Sequence, residues 1–146
     1  IAVALKEAMQ PAFKTYAQQV VANAKTLADE LMEKDYELVT GGTSTHLLLL
    51  NLTSKGVTGQ QAEDALGAVG ITVNKNTIPH DPRKPFDPSG IRMGTPALTT
   101  RGMKENEMKI IAGFIDRAIT NIENDDELNK IHAEVKEMCG SFPLPH

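Results

Sequence analysis

The segment HLLLLNL, residues 46–52, contains the longest apolar run in the chain. A continuous apolar run of about four to eight residues is typical of a strand covered on both faces, and we expect a central strand of that kind here. Alternating apolar and polar residues over 36–40 predict a short strand before it. Two further strands are predicted at residues 71–73 and 89–94. The sequence therefore predicts a small sheet whose short strands lie far apart along the chain.

The first part of the chain has helical periodicity. Apolar residues recur at steps of three and four positions from Leu5 to Leu31. Pro11 interrupts the pattern, because a proline lacks the amide that a helix interior needs but suits a first helical position. We therefore predict two helices, or one sharply bent helix, in which the second part runs from about residue 11 to residue 34.

Capping residues mark the ends of the middle helices. Thr58 and Gln61 have the spacing of a capping box, in which each side chain bonds the backbone amide of the other residue. Gly70 is expected to end the helix that follows. Thr95 is expected to cap a short helix whose first residue is Pro96.

The last part of the chain predicts two more helices. One has its apolar face within residues 108–119, and the other is expected to be capped by Asp125 or Asp126 and to end before Gly140. Helices thus outnumber strands, and varied connections join the strands. The predicted fold class is α+β, with a small, mostly antiparallel sheet and helices packed on one face.

Composition disfavours several functions. The formal net charge is −4, so the chain lacks the basic excess that a nucleic-acid partner requires. The longest apolar run is far too short to cross a membrane. The single cysteine, Cys139, fits a reducing compartment and favours a cytoplasmic location. We expect no metal site, because His80 and His132 lack partners at metal-ligand spacing.

The segment SGIRMGTPALTTRG, residues 89–102, carries the candidate binding residue. The guanidinium of Arg92 presents paired N–H groups that match the two oxygens of a carboxylate. Gly90 and Gly94 on either side are expected to let a small ligand approach closely. Spacing alone also fits a structural ion pair or a surface arginine. Residues 74–88 contain four prolines, which predicts a long loop without regular structure, and such loops are often functional.

Several segments together resemble the C-terminal part of serine hydroxymethyltransferases. The arginine segment has the pattern SGIR, one residue, GTPA, two residues, TRG. It is preceded, in order, by VALKEAM at 3–9, GGT with a following histidine at 41–46, LTSKGVTGQQAEDALG at 52–67 and ITVNKNTIPHDPRKPF at 71–86. The resemblance implies the small C-terminal domain of a fold-type I pyridoxal-phosphate enzyme. Such an enzyme interconverts serine and glycine, with tetrahydrofolate as the one-carbon carrier.

The resemblance also implies roles for individual residues. Arg92 matches the arginine that binds the carboxylate of glycine or serine. Asn76 matches an asparagine that contacts the pteridine of tetrahydrofolate, although the residues alone also fit a turn asparagine that bonds its own backbone. Lys84, Pro85 and Phe86 align with a Ser-Pro-Phe stretch that lies against the folate. Lysine at position 84 departs from that pattern, which leaves a backbone role for this residue.

The lysine that anchors pyridoxal phosphate in this family has no counterpart here, since no lysine of the chain follows a threonine-rich stretch. The resemblance therefore implies that the chain supplies no catalytic residue and is inactive in isolation. We expect residues 1–34 to be a helical link to an absent large domain and residues 35–146 to form the small domain. The full-length protein is expected to be a homodimer.

Two other interpretations stay open. Another fold-type I enzyme, such as an aminotransferase, also uses a C-terminal arginine for the substrate carboxylate, although the resemblance of the folate loop argues against it. Alternatively, the chain is a free-standing, non-catalytic domain that binds a ligand or a partner through the same surface. The start at Ile1, inside a helical pattern with no preceding cap, favours a segment of a longer protein instead.

Overall fold

The computed structural model describes residues 1–144, and the last two residues of the predicted small domain, 145 and 146, lie outside this part. The described chain folds as a four-stranded sheet with helices packed on one of its faces. In chain order, the elements are α1 (Ala2–Ala8), α2 (Pro11–Met32), β1 (Glu37–Leu38), β2 (Leu47–Asn51), a 3₁₀ turn (Thr53–Lys55), α3 (Gly59–Ala68), β3 (Asn74–Asn76), β4 (Gly90–Gly94), α4 (Pro96–Thr100), α5 (Glu105–Thr120) and α6 (Asp125–Gly140).

The sheet has the strand order β1-β2-β4-β3, and every pair of neighbouring strands is antiparallel. β2 and β4 are therefore interior strands, and β3 is an edge strand. Arg92 of β4 lies opposite Leu49 of β2 on one side and opposite Asn74 of β3 on the other. The predicted fold class, an α+β domain with a small antiparallel sheet, is confirmed.

The two faces of the sheet have different environments, because side chains alternate between them along each strand. One set of strand residues is buried beneath the helices: Leu48, Leu50, Ile91 and Met93. The opposite side is the open face, which comprises Glu37, Leu47, Leu49, Asn51, Asn74, Asn76 and Arg92. The expectation that residues 46–52 are covered on both faces is wrong, since Leu47 is 39% exposed and Leu49 is half-buried. Within the described chain, the helices cover one face only.

Helices α2 and α5 pack against each other and form the centre of the core with the buried face of the sheet. The C-terminal half of α2 supplies buried residues at helical spacing, including Leu27 and Leu31. Asn23 of the same helix is also buried, and its amide nitrogen donates to the hydroxyl of Thr99 and to the carbonyl of Met103, each at 2.9 Å. These bonds satisfy a buried polar group and fix α4 against α2.

The first two helices differ in how they meet the rest of the chain. No residue of α1 is buried. The second helix begins at Pro11, as predicted, and ends at Met32 rather than at residue 34. The division into a linking segment, residues 1–34, and a small domain, residues 35–146, stays a prediction.

The predicted capping box at the start of α3 is confirmed. Thr58 Oγ1 accepts a bond from the Gln61 amide at 3.2 Å, and Gln61 Oε1 accepts one from the Thr58 amide at 2.9 Å. Gly70 follows the helix in a left-handed conformation, with φ +84°, as expected for a helix end. The next amide, that of Ile71, donates to the Leu66 carbonyl at 2.8 Å. Residues 71–73 are therefore tied to α3, and the strand predicted there forms at Asn74–Asn76 instead.

Two predicted helix caps need correction. Thr95 is the N-cap residue of α4 and Pro96 its first residue, as predicted, but the Thr95 hydroxyl forms no cap bond: it donates to the Val20 carbonyl at 2.8 Å and so joins α4 to α2. At the start of α6, Asn124 Oδ1 accepts the Glu127 amide at 3.1 Å, so this asparagine caps the helix rather than either of the aspartates after it. Those aspartates lie in the first turn, where their charge complements the helix dipole.

Ion pairs join α5 to α6. Arg117 Nη2 lies 2.8 Å from Glu127 Oε1, and Arg117 Nη1 lies 2.7 Å from Glu134 Oε2. Hydrogen bonds from the Arg117 guanidinium hold the pKa of both carboxyls below the ordinary value of 4.5. The two ion pairs therefore stabilise the fold fully when the pH is above the ordinary carboxyl pKa. This stabilisation is lost as the pH falls through the lowered pKa values of Glu127 and Glu134 in the folded state.

Replacing Arg117 by methionine is expected to lower the thermal midpoint of the 146-residue chain at neutral pH and to have less effect in acid. Once Glu127 and Glu134 are protonated, the wild-type chain has lost the same ion pairs. Thermal unfolding of both chains between about pH 3 and pH 7 checks this. Lys109→Met is the control, because Lys109 is a more exposed cation 3.6 Å from Glu30. An Arg117→Met deficit that is as large in acid as at neutral pH contradicts the prediction.

Candidate functional site

Arg92 occupies the middle of an interior strand. Backbone pairing to β2 and β3 fixes its position from both sides, and its side chain is exposed on the open face. Among residues 1–144, no carboxylate lies within 4.0 Å of its guanidinium. A structural ion pair was one interpretation of this arginine, and the described residues do not form one. Within residues 1–144 the guanidinium therefore keeps its paired N–H groups, which match the two oxygens of a carboxylate, and the other interpretation, a surface arginine, stays open.

The glycines beside Arg92 serve the packing of the chain itself. A Cβ at Gly90 would lie 2.6 Å from the Leu50 carbonyl oxygen and 2.9 Å from the Asn76 carbonyl oxygen. At Gly94 a Cβ would lie 3.1 Å from the His46 carbonyl oxygen. Gly90 is buried, so the expectation that it lets a ligand approach is wrong: the neighbouring strands occupy that space.

Asn76 lies on the open face at the end of β3, two positions after Asn74. Its side-chain nitrogen donates to the Thr77 carbonyl at 2.7 Å. This local bond runs to the backbone of the next residue, and it orients the amide group at the point where β3 passes into the following loop. The structure therefore shows that Asn76 and Arg92 stand on the same face of adjacent strands.

The loop of residues 77–89 joins β3 to β4. The expected long loop is confirmed, except that its first three predicted residues form β3. Lys84, Pro85 and Phe86 are all exposed, and the Phe86 side chain is 69% exposed. The Lys84 ammonium lies 5.8 Å from the centroid of the Phe86 ring, within cation–π range. The loop thus presents an aromatic ring and a cation beyond the end of the strand pair that carries Asn76 and Arg92.

Asp81 is the residue in this loop that sequence reasoning missed. Its carboxylate accepts hydrogen bonds from the backbone amides of Ile78, Arg83 and Ser89 and from the Ser89 hydroxyl. The sequence held a weak signal, because an aspartate followed by Pro82 is a common turn former. Spacing could not show that Ser89, eight residues later, returns to the same carboxylate.

The open face suits some ligands better than others. Its strand residues offer the guanidinium of Arg92, carboxamides, the carboxylate of Glu37 and leucine side chains, and none of them is a lysine. A guanidinium suits a ligand carboxylate, and this set contains no amine that could form a Schiff base with an aldehyde cofactor. Within residues 1–144, His, Cys, Asp and Glu side chains form no cluster of three or more that could hold a metal ion. Nor does any helix in this part combine the length and apolar character needed to cross a membrane.

The fold and the site define the chain as an α+β domain with an exposed guanidinium and carboxamides on the open face of its sheet. A family model described as serine hydroxymethyltransferase matches residues 1–115. The chain is 56% identical over 143 residues to a serine hydroxymethyltransferase of Acidobacterium capsulatum and 50% identical over 143 residues to one of Alkalilimnicola ehrlichii. Each match covers 98% of this chain. The chain belongs to the serine hydroxymethyltransferase family, whose members have the fold of type I pyridoxal-phosphate enzymes.

The match covers only part of each relative. The chain spans about a third of the length of the two proteins, 34% in each case. The segments that carried the resemblance, from residue 3 to residue 102, all lie within the residues that the family model matches.

Proposed function

We propose that the protein containing this chain interconverts serine and glycine, with tetrahydrofolate as the one-carbon carrier. The supporting observation is an exposed guanidinium, without a carboxylate partner among the described residues, at a fixed position in a domain of this family. Arg92 binds the carboxylate of the amino acid and so orients its reacting carbon. Pyridoxal phosphate, held by a part of the protein beyond this chain, would supply an electron sink for that carbon.

The second substrate is proposed to bind beside Arg92. Asn76 contacts the pteridine, and Lys84, Pro85 and Phe86 lie against the folate, with Lys84 acting through its backbone. The exposed ring of Phe86 supports this role, because a flat apolar surface on a loop can stack against a planar ligand. On this proposal the chain binds and orients both substrates, and the chain by itself is inactive. The full-length protein is proposed to be a cytoplasmic homodimer.

The test is an assay of the full-length protein with serine, with and without tetrahydrofolate. We expect glycine to form only when tetrahydrofolate is present. Conversion of serine without any dependence on tetrahydrofolate would favour another fold-type I enzyme, such as an aminotransferase. Binding of glycine without turnover under either condition would favour a non-catalytic binding domain.

Replacing Asn76 by alanine is expected to weaken tetrahydrofolate binding about 5- to 30-fold, the effect of losing one or two hydrogen bonds to a ligand. Glycine affinity should stay within about twofold, because Arg92 is unchanged. The measurements are the KM for tetrahydrofolate and the Kd for glycine in the full-length protein. Asn74→Ala is the matched control, since Asn74 stands on the same strand and the same face. Equal losses of tetrahydrofolate binding in both variants would contradict a specific role for Asn76.

A further inference from the structure

The carboxylate of Asp81 joins the two ends of the β3–β4 loop. Asp81 Oδ2 accepts the amides of Ile78, at 3.1 Å, and of Ser89, at 2.9 Å. Asp81 Oδ1 accepts the amide of Arg83, at 2.9 Å, and the hydroxyl of Ser89, at 2.7 Å. Ile78 follows β3 and Ser89 precedes β4, so one side chain closes a loop whose ends would otherwise be held only by the strands.

Two of these bonds satisfy donors of a buried residue. Ser89 is only 2% exposed, and both its amide and its hydroxyl donate to Asp81. Removing the carboxylate would leave two buried donors without acceptors, which is costly in a folded protein. The backbone next to Asp81 is also constrained, since His80 has a φ of +56°, in the left-handed region that favours glycine. The conformation of the loop therefore depends on the bonds that Asp81 accepts.

The carboxylate is ionised over the whole physiological range. Partial desolvation opposes its ionisation, but the bonds from Ser89, Arg83 and Ile78 outweigh that effect and hold the pKa of Asp81 well below its ordinary range. Both oxygens of the ionised carboxylate therefore act as acceptors, and every donor that they bind belongs to the loop itself.

A second contact holds the tip of the loop. The Arg83 side chain donates from Nε to the Asp87 carbonyl at 3.0 Å and forms an ion pair with the Asp87 carboxylate. These two residues flank Lys84, Pro85 and Phe86. Because the Arg83 amide also donates to Asp81, the tip is connected to the closed base of the loop.

We propose that Asp81 is a positioning residue for the binding of tetrahydrofolate. Its carboxylate orients the segment from Lys84 to Phe86 and does not touch the ligand. The inference rests on the function proposed above and adds a residue to it. Asp81 acts through the loop alone. Arg92 is held by the backbone pairing of β4 with β2 and β3, so the amino-acid side of the site is independent of Asp81.

The test uses the full-length protein and the variant Asp81→Asn, in which an amide N–H₂ replaces one of the two acceptor oxygens. We expect the KM for tetrahydrofolate to rise about tenfold or more, while the Kd for glycine stays within about twofold. Amide hydrogen exchange at Ile78, Arg83 and Ser89 should become faster. Asp64→Asn is the matched control, because Asp64 is an exposed aspartate of α3 whose carboxylate accepts a bond from Gln60.

A parallel loss of glycine and tetrahydrofolate affinity in Asp81→Asn overturns the inference, because it would show a general effect on folding. Unchanged affinity for tetrahydrofolate also overturns it. If Asp81→Asn does not fold, Ser89→Ala decides the question, since it removes only the hydroxyl bond and should raise the KM for tetrahydrofolate about two- to fivefold with glycine affinity unchanged. A wild-type protein that converts serine without tetrahydrofolate overturns the proposed function, and this inference with it.

Discussion

Glycine binding to the full-length protein is expected to weaken about 10- to 100-fold when Arg92 is replaced by lysine. The ammonium group keeps the positive charge but presents a point charge where the guanidinium presents two parallel N–H donors. The strand position makes the loss hard to recover, because β4 is held between β2 and β3 and cannot shift toward the ligand. Most of the activity should be lost as well, because a substrate carboxylate held by one hydrogen bond instead of two is poorly oriented.

The measurement is the Kd for glycine, with the KM for tetrahydrofolate recorded in the same variant. Arg101→Lys is the matched control, because the Arg101 guanidinium donates to the carbonyls of Phe142 and Cys139 and holds the end of α6. That variant is expected to bind glycine normally. Near-normal glycine affinity in Arg92→Lys would remove Arg92 from the proposed site.

The 146-residue chain is expected to lose about 2–3 kcal/mol or more of its unfolding free energy when Gly90 is replaced by alanine. The added Cβ would lie 2.6 Å from the Leu50 carbonyl oxygen, 2.8 Å from Ile78 Cγ2 and 2.9 Å from the Asn76 carbonyl oxygen. Two of these atoms belong to the backbones of the strands on either side. These close contacts can be relieved only if β2 and β3 move apart, which breaks the pairing on both sides of β4. Urea unfolding measures the loss.

Gly113→Ala is the control for this substitution. Gly113 lies inside α5, and a Cβ there would meet no atom within 4 Å outside its own helix backbone and chain neighbours. Alanine is the better helix former, so this variant is expected to gain roughly 0.5–1 kcal/mol. The same substitution should thus lower the unfolding free energy at position 90 and raise it at position 113. A Gly90→Ala chain as stable as the wild type would show that the sheet can widen at little cost.

Local chemistry explains which parts of the fold could be predicted from the sequence. The capping box of Thr58 and Gln61 was predictable because both partners lie within one helical turn. The cap of the last helix was missed because Asn124 and the two aspartates after it are all good capping residues. The strand expected at residues 71–73 was misplaced because a hydrogen bond back to Leu66 holds Ile71 at the helix end. Periodicity carries no information about such a bond.

In the candidate site, too, the features that depend on contacts between distant parts of the chain could not be predicted from the sequence. The resemblance pointed to Arg92, but its freedom from a carboxylate partner among the described residues depends on how the helices and strands pack. The burial of residues 46–52 was overestimated for a similar reason, since a run of leucines does not reveal whether helices cover one face or two. Asp81 was overlooked because its importance arises only when the hairpin brings Ile78 and Ser89 to the same carboxylate.

The strand order places the residues proposed to bind the two substrates on strands that are held unequally firmly. β4, which carries Arg92, is paired along both edges, whereas β3, which carries Asn76, is three residues long and paired along one. Edge strands open more readily than interior strands, so the amides of β3 should exchange with solvent sooner than those of β4. On the proposed function, the amino acid meets a preformed subsite. The carrier meets Asn76 on the strand that opens more readily, and this contact can adjust without displacing Arg92, while the bonds to Asp81 hold the loop segment from Lys84 to Phe86 in place.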